Sequence, residues 1–273
     1  MFLTAENYYS LEADKYYLSV SQYKNFITCE AKALAQLKGE YISQPSDAML
    51  IGSYVDAWCE GTLDKFKEEH PEIYNKKSKE KVLLAKFSIA DECIKAIQED
   101  INLSTYLTGQ KQVIFAADLF GVPWKIKMDN YNPEAGFFSD LKVMANLYDK
   151  FWNKELRVYE SFIEHYKYNF QMCIYAMIEK LATGREDFLE PYLVVVTKQQ
   201  PCDKAIYNGF LSDMQDVMWH IEEHLPRIIA LKEGKVEPIP CGKCEYCRSV
   251  KTAEIIDYHY LLGEQYSSNK GNG

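Results

Sequence analysis

Trp124-Lys125-Ile126-Lys127-Met128-Asp129 and, a short turn later, Gly136-Phe137-Phe138-Ser139-Asp140-Leu141-Lys142-Val143 form the stretch on which the fold turns. In the first segment apolar Trp124, Ile126 and Met128 alternate with Lys125, Lys127 and Asp129, the period of a strand with one buried face. The apolar run Lys111 to Ala117 precedes it, and Phe120-Gly121 between them reads as a hairpin turn. Gly136 to Val143 is the third strand. Side chains alternate along a strand, so Asp140 and Lys142 point to one face. If the second and third strands are neighbours, Asp129 comes to lie beside Asp140. Phe137, Phe138, Leu141 and Val143 mark the third strand as buried, and buried charges need partners or a metal.

Asp129, Asp140 and the backbone carbonyl of Leu141 offer oxygen ligands of the kind Mg²⁺ takes. A bound divalent ion lowers the pKa of its water and stabilises charge on a phosphoryl oxygen. Lys142 beside it could orient or deprotonate that water. These are the parts of phosphodiester hydrolysis. The plainer alternative is a solvent-facing Asp140–Lys142 ion pair.

Working outward, Ser19 and Gln22 fit a helix capping box, and Tyr23, Phe26, Ile27, Leu34 and Leu37 continue at helical spacing to Gly39, with Cys29 in mid-helix. A second helix runs from Ser46 or Asp47 to Gly61, and a third from Lys79 to Glu99. After the third strand, Ser161 to Ala182 is helical. Gln171 and Tyr175 lie four apart there and share a face. Tyr192 to Thr197 reads as a buried strand and Asn208 to Leu231 as a long amphipathic helix. The expected fold class is α/β (α+β), a mixed central sheet flanked by helices. A single domain is expected over residues 1–265: mainly helical to 110, an αβ core over 111–200, then a helix and a cysteine loop. Residues 266–273 form an expected disordered tail.

The 273 residues carry 31 basic and 40 acidic side chains, a net charge of −9, with 47% hydrophobic residues. This excludes a disordered chain. It also argues against a protein that coats nucleic acid through a general basic surface. DNA contact would be confined to a local rim including Lys125, Lys127 and Lys142. No apolar run approaches a membrane span, and no secretory leader is evident at the start, so a reducing cytoplasm is the expected compartment. Of the eight cysteines, Cys59, Cys93, Cys173 and Cys202 stand alone; the first three have the setting of small buried hydrophobes. Cys241, Cys244 and Cys247 are spaced C-x2-C-x2-C, with Pro240 and Gly242 permitting a tight turn. That spacing signals a metal or cluster, one ligand short of a closed site. His220 and His224 lie four apart, but no third ligand is evident, and they read as a surface helix face.

Together these motifs resemble the PD-(D/E)xK nuclease superfamily, and within it the RecB-like and phage exodeoxyribonuclease VIII-like (RecE-like) exonucleases. The carriers are Gly52-Ser53-Tyr54-Val55-Asp56, Asp129, Asp140-Leu141-Lys142 and Gln171-Met172-Cys173-Ile174-Tyr175, in that order. Glu6 to Ser10 and Ser19 to Lys24 are similar to that branch as well. The resemblance implies a restriction-endonuclease-like fold and Mg²⁺- or Mn²⁺-dependent exonuclease action on double-stranded DNA ends. It assigns Asp56, Asp129, Asp140 and the Leu141 carbonyl to metal, Lys142 to water activation, and Gln171 and Tyr175 to positioning. Asp56 departs from the His often found at its position. The resemblance also implies a RecT-like annealing partner and a possible homo-oligomer. An AddB-type cysteine pattern supplies Cys29 as fourth ligand to Cys241, Cys244 and Cys247, for a [4Fe–4S] cluster or, alternatively, Zn²⁺. The competing reading is a catalytically inactive nuclease-fold module that binds DNA or protein and is stapled by that centre.

Overall fold

Side-chain caps and left-handed glycines bound the helices. Ser10, Ser19, Ser46, Asp100 and Ser161 each accept a backbone N–H from the first turn, while Gly39, Gly61 and Gly184 close the far ends with positive φ. The computed structural model describes residues 1–77, 82–154, 156–253 and 255–259. In chain order the helices and strands are α1 (Leu11–Tyr16), α2 (Val20–Thr28), α3 (Glu30–Lys38), α4 (Asp47–Glu60), α5 (Leu63–Glu69), α6 (Ala85–Gln98), α7 (Ile101–Tyr106), β1 (Gln110–Leu119), β2 (Val122–Asn132), β3 (Phe137–Met144), β4 (Phe151–Asn153), β5 (Val158–Glu160), α8 (Phe162–His165), α9 (Tyr168–Thr183), β6 (Glu190–Thr197), β7 (Lys204–Tyr207), α10 (Met214–Lys232) and α11 (Glu245–Val250).

The main sheet has the order β1-β2-β3-β6-β7, antiparallel except for the parallel pair β3 and β6. The parallel pair needs a crossover, and α9 provides it. One core lies on the α9 side of the sheet, where Trp124, Ile126, Met128 and Phe138 pack with α2, α9 and α10. The second lies on the other side, where Leu141, Val194 and Val196 pack against α4 and α6. This is the expected mixed sheet between helical layers. Phe120 and Gly121 both have positive φ, at 54° and 75°, as a two-residue primed hairpin turn requires.

Several boundaries differ from the expectation. The helix read through Cys29 is two helices. Cys29 is extended, with φ −162° and ψ 102°, and it ends α2 while opening α3. The segment expected from Ser161 to Ala182 breaks at Lys167, which has φ 54°. The helix expected from Asn208 begins with a 3-10 turn, Phe210–Asp213, and is α-helical only from Met214. α6 starts at Ala85; residues 78–81, within which the expected helix would begin, lie outside the described residues, as does the expected tail at 266–273. β7 and the β4–β5 ribbon are too short and too mixed in character to stand out in the sequence.

Candidate active site

β2 and β3 are paired only from Asn130–Ser139 to Asn132–Phe137. Asp129 and Asp140 follow at the next facing position, where the ladder ends, and their carboxyl groups lie within hydrogen-bonding reach. Lys142 forms an ion pair with Asp140, and its Nζ donates to the Leu141 carbonyl at 3.2 Å. From α9, Gln171 Nε2 donates to Asp140 Oδ1 at 2.6 Å. Asp56 on α4 and Tyr175 on α9 line the same cavity of about 530 Å³, together with Asp129, Asp140, Lys142 and Gln171. The six side chains singled out in the sequence thus come from α4, β2, β3 and α9 to one place. The Leu141 side chain is buried in the core on the α4 side of the sheet.

The electrostatics follow from burial and crowding. Burial pushes the Asp129 carboxyl well above its ordinary range; Asp140 and Asp56 push the same way and Lys142 opposes them. Burial also raises Asp56, to about 7, against the pull of Lys142 and with help from Asp140 and Glu60. The Lys142 amine loses hydration, but Asp140, Asp129 and Asp56 outweigh that loss and leave its pKa raised. Burial keeps the Tyr175 phenol protonated. Three carboxyl groups therefore crowd around one lysine, more acid than its single charge balances.

That excess suits a hard divalent cation with oxygen ligands. Gln112 adds to the fit: its Nε2 donates to Asp129 Oδ1 at 3.3 Å, and its Oε1 is buried without a hydrogen-bond partner. Asp129, Asp140 and the Leu141 carbonyl would hold the ion, with Asp56 at its edge. The three carboxylates do not form a closed cage. Among the described residues, the only cluster of candidate ligands gathered around one point is the four cysteines. Mg²⁺ commonly keeps several waters and needs only one or two carboxylates.

Several further residues at this site carry no functional signal in the motifs. Gln112 sits opposite Asp129 with φ 55°, a region that non-glycine residues seldom occupy and that often marks function; nothing in the local sequence signals it. Tyr8 and Tyr9 line the cavity with Lys127, whose Nζ lies 5.7 and 4.6 Å from their ring centres. Lys24 stands near Lys142, and burial, with Lys142 adding to it, lowers its pKa to about 7. The one sequence signal for Tyr8, Tyr9 and Lys24 is that they fall within the stretches similar to the exonuclease branch.

The expected basic rim needs one correction. Lys127 and Lys142 face the cavity, but Lys125 is only 1% exposed. Its Nζ donates to Asp14 at 2.6 Å and also to the Tyr8 carbonyl. The N-terminal segment covers that side of β2, so strand alternation there separates two buried environments. His220 is also more than a surface residue. It shares a 2.7 Å hydrogen bond with the Tyr23 hydroxyl, and its ring stacks on His224 at 4.2 Å. Cys59, expected to be a packing residue, is half-buried and accepts from Lys111 Nζ at 3.4 Å. Cys93 and Cys173 are buried as expected.

The second constellation is the four-cysteine centre. Cys29 Sγ lies 3.6 Å from Cys247 Sγ and 3.7 Å from Cys244 Sγ, and Cys241 Sγ lies 3.9 Å from Cys247 Sγ. Gly242, at φ 72°, makes the turn. Backbone N–H groups of Cys244 and Cys247 donate to the sulfurs of Cys241 and Cys244 at 3.3 and 3.4 Å. Backbone donors from Lys243 and Cys244 pull the Cys241 thiol down to about 6. The donor set suits a thiophilic metal.

A family profile described as "PDDEXK-like domain of unknown function (DUF3799)" matches residues 19–250. The chain belongs to this PDDEXK-like family. A solved structure from Eubacterium rectale, provisionally named an exonuclease, is 39% identical, covers 97% of this chain and 99% of its own, and superposes with a TM-score of 0.89. None of the curated proteins compared with the chain matches it. Membership of the PDDEXK-like family, together with this neighbour, supports a nuclease. No described helix of this family member is long and apolar enough to cross a membrane.

Proposed function

We propose that the protein is a Mg²⁺-dependent DNA exonuclease that hydrolyses phosphodiester bonds at double-stranded ends, of the phage or prophage recombination type. The observation that carries this is the convergence of Asp129, Asp140, Lys142 and Gln171 at the point where β2 and β3 part. When bound, the divalent ion would supply Lewis acidity to the phosphoryl oxygen and acidify its water. The chain's own groups do the rest. Lys142, charged and anchored by Asp140 and the Leu141 carbonyl, orients the attacking water and offsets phosphate charge. Gln171 holds Asp140 in one rotamer. Tyr175, kept protonated by burial, donates toward a phosphate oxygen. Tyr8, Tyr9 and Lys127 at the same cavity offer stacking faces and a cation for the strand end.

The intact acid–lysine arrangement supports catalysis over the inert binding module. The absence of a disulfide among the eight cysteines suits a cytoplasmic setting. The resembling branch further suggests that the product strand passes to a RecT-like annealing protein and that the chain works as a homo-oligomer. The test is incubation with end-labelled linear duplex and with closed circular DNA, with Mg²⁺ or EDTA. Release of nucleotides from the linear duplex only, and only with the metal, is expected. An inert protein, or one that cuts the closed circle equally well, would overturn the exonuclease reading.

A further inference from the structure

We propose that Cys29, Cys241, Cys244 and Cys247 hold a single tetrahedral zinc ion, and that the centre does not fit the [4Fe–4S] cluster implied by the family resemblance. The inference concerns the cysteine centre alone and stands or falls independently of the nuclease reading.

The decisive observation is the spacing of the sulfurs. Zinc–thiolate bonds of about 2.3 Å in a tetrahedron set neighbouring sulfurs about 3.8 Å apart. A cube of four irons and four sulfides stands between its cysteines and holds their sulfurs roughly 6.4 Å apart. Here the separations are 3.6, 3.7 and 3.9 Å, and all four sulfurs lie within 4.8 Å of one another. That space admits one ion and no cube.

The backbone around the sulfurs holds them at this spacing. Cys29 is fixed from both sides: its N–H donates to the Asn25 carbonyl at 2.9 Å, and its carbonyl accepts from Ala33 at 3.0 Å. Cys29 and Cys247 are both buried. The loop bearing the other three sulfurs is clamped onto α3. Lys32 Nζ and Ser43 Oγ donate to Glu245 Oε1 at 2.9 and 3.2 Å, and the Tyr41 and Tyr246 rings meet edge-on at 5.2 Å. Admitting a cube would require outward movement of sulfurs that these contacts resist. Four thiolates around Zn²⁺ leave a net charge of −2. The two N–H···S bonds and the Lys32 amine near Cys244 offset it. Such a closed site leaves no open coordination position and carries no redox chemistry, so its work is structural. It ties Cys29 to Cys247 across 218 positions.

The test uses the full chain, purified without oxygen from cells supplied with both iron and zinc. One zinc per chain is expected, with no iron, no acid-labile sulfide and no broad absorbance near about 400 nm. The count should be unchanged in Asp140→Asn, which alters only the carboxylate cavity, and should fall to zero in Cys29→Ser. Should Cys29→Ser fail to fold, cobalt exchanged into the unmodified chain gives a second readout: intense bands between roughly 600 and 750 nm, as a tetrahedral thiolate site requires. Iron with matching sulfide would overturn the proposal. So would a metal-free chain with all four thiols free, a disulfide among them, or a cobalt spectrum without thiolate bands.

Discussion

The carboxylate cavity and the four-cysteine centre are assembled in opposite ways. The cavity draws on α4, β2, β3 and α9 and collects groups that repel one another; burial and mutual repulsion raise Asp129 and Asp56. The cysteine centre takes three ligands from one seven-residue loop and a single distant partner, Cys29, and its backbone donates hydrogen bonds into the sulfurs. The first arrangement opposes folding, and the proposed function accounts for it as a site kept for chemistry. The second supports folding and offers a substrate nothing. Activity and stability should therefore separate between the two regions.

The largest effect expected is from Asp140→Asn. It removes the carboxylate that holds Lys142 and Gln171 together, and we expect nuclease activity to fall by about 10³-fold or more. Melting should shift by only a few degrees, because one of three crowded carboxylates is gone along with its ion pair. A large loss of stability with activity per folded molecule retained would reverse the assignment of roles. Cys29→Ser is the mirror experiment. Losing a clamp across 218 positions should cost about 5 kcal/mol by analogy with a long-loop crosslink. In a chain of this size that lowers Tm by about 10 °C. Turnover per folded molecule at low temperature should remain near that of the unmodified chain, and a fall matching that of Asp140→Asn would mean the two regions are one functional unit.

A smaller effect tests the supporting residues of the cavity. Gln112→Ala deletes the donor to Asp129 and leaves the left-handed backbone in place. A roughly 10-fold loss in kcat, with little change in KM, is the outcome expected of a positioning residue. An unchanged rate would make Gln112 a packing residue.

The smallest effect lies between the two regions, on α10. Burial, with His224 and Lys167 adding to it, lowers the His220 pKa from 6.5 to about 4. The unfolded chain then binds the proton first as pH falls. The contribution of neutral His220 is complete above about pH 6.5 and declines as pH drops toward about 4. His220→Gln should flatten that part of the melting-temperature profile relative to the unmodified chain. Parallel profiles would show that the Tyr23–His220 contact does not carry the titration.

Strand period, helix caps and ligand spacing are all legible in the chain itself. Alternation over Trp124 to Asp129 locates β2, D-x-K locates β3, and Ser46 and Gly61 bound α4. These are local properties, set by the residues themselves and their immediate neighbours. The C-x2-C-x2-C turn is equally plain, because three ligands from one short loop need no distant information.

What only the tertiary structure decided is what covers each face and where a ladder stops. Alternation puts Lys125 on the face opposite Trp124, but the covering N-terminal segment makes that face an interior. The same is true of Gln112, whose place opposite Asp129 depends on hairpin register and sheet twist. Cys29 looks like any mid-helix residue until its thiol must meet partners more than 200 positions away, and there the helix breaks. Sequence determines the direction a side chain takes from its own backbone. Its partner is set by long-range packing, which here gathers three carboxylates around one lysine and four sulfurs around one point.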